Sequence, residues 1–339
     1  MDTSSRSKSP PVAWGVLGAA RIAAAKTIPA MLASSWCEAK AIAARDLPRA
    51  KAIAVQFGIP KAYGSYEALL DDPTIEAVYI ALPNHLHVMW ALAAARKGKH
   101  VLCEKPMAMT AAEARELHAA PRDVKISEAF MVRQQPRWEA LRELLRAGTY
   151  GKPMTVQSLL SFFMNNPDDF RNRPQFGGGA LYDLGCYTAM AARYVFEEEP
   201  ARVMAVAERD ANGVDVFATA VLDFGAGRHA AFTVSTAMAS AQTLHVVCEK
   251  GFVDLPKPYV PPRSEPSQIL VDTSASHDLS MVEATTFPAA DQYELEVTNF
   301  SKIVRGHSAP FFGPDDAIAN MRVLDAIFAA IRSGGWQAV

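Results

Sequence analysis

Residues 12–23 read VAWGVLGAARIA, a short apolar run that stops at Gly18 and opens into an alanine-rich stretch. A strand running through a small-residue turn into a helix is the opening of a dinucleotide-binding βα unit. In that fingerprint the first small residue makes the turn and the second lets the backbone approach a pyrophosphate. The third lets the helix pack closely on the strand. Gly18, Ala20 and Ala23 take those places, with Arg21 and Ile22 between the last two. Only one of the three is glycine, so context carries the reading: a strand before, and a helix from Arg21 to Ser34 after. Pro29 lacks an N–H and clashes one turn back, so it should kink or restart that helix.

Outward from this unit, apolar runs at 39–44, 77–82, 100–103 and 124–130 alternate with helical segments. Such alternation means βαβ units and a parallel sheet with right-handed crossovers. The expected fold class is therefore α/β followed by α+β. A disordered tail (1–11) leads into a Rossmann domain (12–130), and then a domain on a mostly antiparallel open sheet (131–339). In the second part, a helix over 137–147 precedes β-rich runs at 153–163, 201–208, 214–223, 229–238 and 243–249. Turn signals stand at Asn212-Gly213, Gly225-Ala226-Gly227 and Lys250-Gly251. The Pro- and Ser-rich stretch 256–280 reads as a long loop, and a helix over 314–333 stops at Gly334-Gly335.

With 339 residues the chain suits two domains, and half its residues are apolar. A net charge of −2 offers no footprint for nucleic acid or an acidic membrane. No apolar run approaches the roughly 20 residues of a spanning helix. The polar start MDTSSRSKSPP lacks an export signal. The four scattered cysteines show neither disulfide nor zinc spacing. Together these predict a cytoplasmic location. His85 and His87, two apart, would point in different directions on a helix, so no metal site is expected.

Cofactor choice is read at the end of the second strand, where an acid binds the ribose hydroxyls of NAD and an arginine accepts the 2′-phosphate of NADP. Ala44 holds the acid position and Arg45 follows, which favours NADP and leaves NAD open; Arg45 capping a helix or pairing with Asp46 is the plainer alternative. Ligands of parallel sheets sit at the carboxyl ends of strands. Two such ends are unusually polar: Leu82-Pro83-Asn84-His85-Leu86-His87 and Cys103-Glu104-Lys105-Pro106. Pro106 stops the strand and holds Lys105 at its tip, although a plain surface lysine reads equally well. Farther on, a glycine run (177–179) opens a helix on which Asp183 and Tyr187 stand four apart and share a face. An acid beside a phenol makes a proton-transfer pair, and also occurs on ordinary helices.

The segments VYIALPNHLH (78–87), GKHVLCEKPMAMT (98–110) and GGGALYDLGCY (177–187) resemble the Gfo/Idh/MocA family of oxidoreductases, over about residues 12–333. The resemblance implies a catalytic role for Lys105, the lysine of Glu-Lys-Pro, and aligns Asp183 with the family's downstream aspartate. Tyr187, where many members carry histidine, is similar to the branch of glucose-fructose oxidoreductase, dimeric dihydrodiol dehydrogenase and NADP-linked xylose dehydrogenases. Residues 43–70 are similar to that branch too, which again implies NADP. Two positions depart from the pattern: Ala20 replaces a frequent glycine, and Gln135 replaces a histidine in Val132-Arg133-Gln134-Gln135-Pro136.

The activity expected is hydride transfer between nicotinamide and a carbon bearing a hydroxyl or carbonyl, on a sugar or polyol. Tyr187 is the expected acid–base; its ordinary pKa of about 10 needs lowering, which a cationic Lys105 would provide. Asp183 would orient Lys105 or a substrate hydroxyl, while Glu104, Asn84 and His87 would line the nicotinamide ribose. Phe162, Asn165, Arg171 and Asn172 suit a sugar or cyclic diol. The alternatives are a trans-dihydrodiol or dicarbonyl oxidoreductase, and a regulator that senses NADP without catalysis. An apolar outer sheet face would make the chain a homodimer or homotetramer.

Overall fold

The computed structural model describes residues 9–164, 166, 168–273 and 281–339. Asn165 lies outside the described residues, as do residues 1–8 of the expected tail. The end of that tail is a correction, because the Arg305 guanidinium donates to the carbonyls of Pro10 (2.9 Å) and Pro11 (3.0 Å).

The chain forms two compact units, and packing does not divide it at a single point near residue 131. The first unit combines the chain up to Ala108 with Ala112–Gln134 and Asp291–Ala317. The second takes Met109–Ala111, Gln135–Ala290 and Ile318–Val339. Residues 291–317, which a linear cut places in the second domain, thus pack with the first.

Six parallel strands make the sheet of the first unit: β1 (Val12–Leu17), β2 (Cys37–Ala43), β3 (Lys61–Tyr63), β4 (Ala77–Ile80), β5 (His100–Glu104) and β6 (Ile126–Ala129). Their order, β3-β2-β1-β4-β5-β6, is that of a Rossmann sheet with its switch point between β1 and β4. β1 and β4 are wholly buried, as strands covered on both faces must be. The crossover helices are α1 (Ile28–Ala33), α2 (Leu47–Phe57), α3 (Tyr66–Leu70) and α4 (His87–Arg96). Pro29 does restart its helix: a π-turn over Ala23–Thr27 precedes α1, in which Pro29 is the second residue. Asp46 caps α2 by accepting from the Arg49 N–H (3.2 Å), so the capping once offered to Arg45 falls to its neighbour. A short helix, α5 (Ala111–Arg115), follows β5. Three-residue β3 has no counterpart in the sequence reading.

The second unit opens with α6 (Pro136–Arg146) and contains α7 (Cys186–Phe196). Its strands are β7 (Pro153–Phe163), β8 (Arg202–Arg209), β9 (Asp215–Asp223), β10 (His229–Ser235), β11 (Ala237–Cys248), β12 (Gly251–Asp254), β13 (Ser267–Asp272), β14 (Val282–Phe287) and β15 (Gln337–Ala338). They form one sheet in the order β14-β13-β12-β11-β7-β10-β9-β8-β15. Among the described residues only the β7–β10 pairing of this sheet is parallel. The expected loop 256–280 is corrected in part, since β13 lies within it; residues 274–280 are outside the described ones. Alternate residues such as Val203, Ala220, Phe232 and Val246 are buried on one face of this sheet. On the other, Met204 and Val206 are exposed. Two helices complete the chain: α8 (Gln292–Val304), which the sequence reading passed over, and α9 (Pro314–Ser333), which it placed.

Candidate active site

The first unit brings three of the motifs to neighbouring strand ends, because β1, β4 and β5 are adjacent in register. After β1, Gly18 has φ +106°, and a Cβ there would lie 2.4 Å from the Ala81 carbonyl oxygen at the end of β4. Only glycine makes this turn. Ala20 is half-buried, Arg21 exposed, Ile22 half-buried and Ala23 buried, the last where the fingerprint needs close packing. At the end of β2, Ala44 is buried, its N–H donating to Tyr63 O (3.2 Å). Arg45 and Arg49 are exposed, and Arg45 reaches the phenol of Tyr66. The small residues around Gly18 and these guanidiniums suit a dinucleotide that carries an extra phosphate.

Leu82 and Asn84 are buried at the end of β4, with Pro83 between them half-buried. His87 is completely buried, which corrects its expected place at the nicotinamide ribose. Its Nδ1 lies 2.8 Å from Pro106 O and its Nε2 2.7 Å from Leu82 O. Both nitrogens are committed to backbone, so His87 braces the turn after β4 against the turn after β5. Burial draws its pKa down, the two carbonyls oppose that, and the charge of Lys105 adds to the fall.

Glu104, half-buried, accepts a short hydrogen bond from the Tyr79 hydroxyl. Burial, and next the Glu104 charge, hold the Tyr79 phenol well above its ordinary pKa, so it stays a donor. Half-buried Lys105 is the first residue after β5 and precedes buried Pro106. Behind these, Glu296 of α8 is buried, and desolvation and the nearby Glu104 push its carboxyl well above the usual range. Sequence reasoning missed Glu296 because it belongs to a helix not anticipated.

In the second unit the glycine run is used for close approach. A Cβ at Gly178 would stand 2.4 Å from Arg171 O, and one at Gly179 (φ +121°) only 2.2 Å from Asp215 Oδ1. Asp215, buried on β9, accepts from the Leu181 N–H (2.7 Å) and so anchors the start of the helical segment. Burial pushes its carboxyl up to about 6 against the pull of that N–H. It too was missed; the signal was a lone charge inside the apolar run 214–222.

Leu181–Gly185 is a π-turn that runs into α7, with the Cys186 N–H closing on Leu181 O. Asp183 belongs to the π-turn and Tyr187 to α7, so the expected regular helix face is interrupted between them. Half-buried Asp183 accepts from Arg171 Nε (2.8 Å), and Arg171 Nη1 reaches Asp169 Oδ1 (3.2 Å). Burial disfavours the Arg171 charge, yet the two carboxylates hold it above the ordinary arginine range. Arg171, expected to bind substrate, is half-buried and pairs with Asp183. Asn172 donates to Asn166 O (2.8 Å), and Phe162 is half-buried on β7. Tyr187 is 6% exposed, its ring 5.9 Å from that of Tyr259. Gln135, which stands where the resemblance has histidine, is buried and accepts from Arg137 Nε (2.9 Å).

Such strand ends define a dinucleotide-dependent enzyme of Rossmann type. Residues 12–127 match the model of an oxidoreductase family with NAD-binding Rossmann fold, Gfo/Idh/MocA, and residues 138–254 match a C-terminal domain of the same family. The chain belongs to the Gfo/Idh/MocA oxidoreductase family. It is 38% identical to D-xylose 1-dehydrogenase (NADP(+)) 2 of Haloferax volcanii, over 95% of this chain and 98% of that one. It is also 38% identical to trans-1,2-dihydrobenzene-1,2-diol dehydrogenase of Mus musculus, over 73% of this chain and 75% of that one. Among solved structures, a 3-ketoreductase from Actinomadura kijaniata in complex with NADP and TDP-benzene superposes with a TM-score of 0.88. Its identity is 28%, covering 94% of this chain and 98% of that one. Among the described residues no helix is long and apolar enough to cross a membrane.

Proposed function

We propose that this chain is an NADP-dependent dehydrogenase of aldoses or related polyols, with Lys105, Asp183 and Tyr187 handling the proton. The observation that carries the reading is the convergence of Gly18, Asn84, Glu104 and Lys105 on adjacent strand ends of a Rossmann sheet. Gly18, Ala20, Arg21 and Ile22 hold the pyrophosphate, Arg45 beside Ala44 takes the 2′-phosphate, and Leu82, Pro83, Asn84 and Glu104 line the remainder. When bound, the cofactor supplies the hydride acceptor at its nicotinamide. Tyr187 takes the hydroxyl proton, Lys105 favours its phenolate, and Asp183, oriented by Arg171, holds the substrate. The NADP(+)-named xylose dehydrogenase supports both the cofactor and the sugar.

Similarity to the dihydrodiol dehydrogenase favours a second substrate class, trans-diols of a reduced ring. The half-exposed sheet face, with Met204 and Val206 outward, supports a homodimer. A cytoplasmic location agrees with four free cysteines.

The test follows reduced-cofactor absorbance with NADP+ and with NAD+ against aldoses, inositols and dihydrodiols, in wild type, Lys105→Met and Tyr187→Phe. Turnover with NADP+ and D-xylose, collapsing at least 100-fold in both variants, is expected. Tight NADP+ binding with no turnover of any panel member would instead make the chain a cofactor-sensing regulator.

A further inference from the structure

Arg137, the second residue of α6, is completely buried. Among the described residues its hydrogen bonds all go to neutral oxygens: Gln135 Oε1 (2.9 Å), Pro256 O (2.7 Å), Lys257 O (2.5 Å) and Pro258 O (3.0 Å). Trp138 Nε1 adds a bond of 3.1 Å to Pro258 O. A buried cation that meets only carbonyl dipoles costs solvation that no opposite charge returns. Burial alone draws this guanidinium down to about 10. Three consecutive carbonyls turned onto one side chain require an unusual backbone, and Lys257 has φ +49°, a region that lysine rarely enters.

The next residue, Tyr259, is completely buried and tied at both ends. Its N–H donates to Gln242 Oε1 (2.9 Å), and its hydroxyl lies 2.5 Å from Ser158 Oγ on β7. Its ring lies 6.2 Å from Trp138 and 5.9 Å from Tyr187, tilted 59° to the latter. Tyr187 therefore rests against a side chain whose position is set by a turn, and the turn by Arg137.

We propose that Tyr259 is a positioning residue for Tyr187, and that Arg137 acts through it by clamping the 256–258 turn. The inference rests on Tyr187 being the acid–base. A reacting phenol must be held to within a fraction of an ångström, and a misplacement of about 1 Å can cost on the order of 100-fold in rate. The wall that Tyr259 provides accounts for a costly buried charge at Arg137, directly after the Val132–Pro136 segment.

The test is a double-mutant cycle on kcat with D-xylose and NADP+, using Tyr259→Leu, Tyr187→Phe and both together. Arg137 variants risk failing to fold, so Tyr259 carries the cycle, with thermal melts to confirm folding. Tyr259→Leu should lower kcat about 10- to 100-fold, with the KM for sugar and the Kd for NADP+ within about threefold. Tyr259→Phe, which keeps the ring, should recover most of that loss. In the Tyr187→Phe background, Tyr259→Leu should cost nothing further. An equal loss in both backgrounds, or a loss confined to KM or melting temperature, overturns the proposal. If Tyr187→Phe alone keeps the wild-type rate, the acid–base reading has failed instead. Fluorine NMR of 3-fluorotyrosine-labelled protein asks the same question without turnover. The resonance that Tyr187→Phe removes should shift or broaden in Tyr259→Leu, and an unchanged resonance overturns the positioning role.

Discussion

At the scale of single residues, two glycines with positive φ should behave differently. Gly58 ends α2 with φ +67°, and a Cβ there would meet nothing within 4 Å. Gly58→Ala should cost only about 1 kcal/mol, the conformational term. Gly18→Ala adds a Cβ 2.4 Å from a backbone oxygen that cannot yield. It should destabilise by about 1–3 kcal/mol through strain and weaken NADP+ more than tenfold, read by thermal melts and by titration calorimetry. Asp215 has the opposite character, a carboxyl the fold prefers neutral. Its folded pKa of about 6 lies above the ordinary aspartate value. The stability it contributes is therefore fully present below about pH 4 and lost as pH rises through about 6. Asp215→Asn keeps an acceptor for the Leu181 N–H without the charge. Chemical denaturation should find the variant more stable than wild type at pH 8, by on the order of 2 kcal/mol, and not at pH 4.

At the scale of elements, the π-turn Leu181–Gly185 depends on what surrounds it. Asp215 holds its entrance, and Arg171 holds the carboxylate of Asp183 within it. Arg171→Met should lower kcat/KM about 10- to 100-fold in steady-state assays, and Arg171→Lys somewhat less, because lysine cannot span Asp169 and Asp183 with one planar group. The parts legible in the sequence were those whose cause is local. The small-residue turn at Gly18, the helix restart at Pro29 and the glycine stop after α9 each follow from one residue's backbone chemistry. β3 escaped notice because three residues carry no periodicity, and β13 because proline and serine around it mask six strand residues. Motif content found the strand ends, but could not show that His87 turns both nitrogens to backbone. Nor could it show that Arg171 belongs to Asp183, since both facts depend on contacts between loops. Arg137 and Tyr259 carry no motif, and only packing reveals them.

At the scale of the whole molecule, the long sheet leaves one face partly open. Val206 is 60% exposed on β8, and on the same face the Thr219 and Thr233 hydroxyls lie 2.9 Å apart. If that face joins two copies, Val206→Asp with Met204→Glu should raise the dimer dissociation constant at least tenfold in sedimentation. Unchanged association would move the interface elsewhere.

The first unit also has a consequence in time. Trp14 Nε1 donates to Ser301 Oγ (3.1 Å), and Arg305 makes two contacts of 2.7 Å to Glu76. Ser127 donates to Phe312 O (2.9 Å). Trp14 thus waits for a partner made 287 residues later, Glu76 for one 229 residues later and Ser127 for one 185 residues later. Until then Trp14 lacks a closing contact of its core and Glu76 its ion-pair partner, which leaves the nascent parallel sheet incomplete while the intervening residues are made. Single-file synthesis therefore lays down all six strands of the cofactor-binding sheet well before residues 291–317, which pack with it.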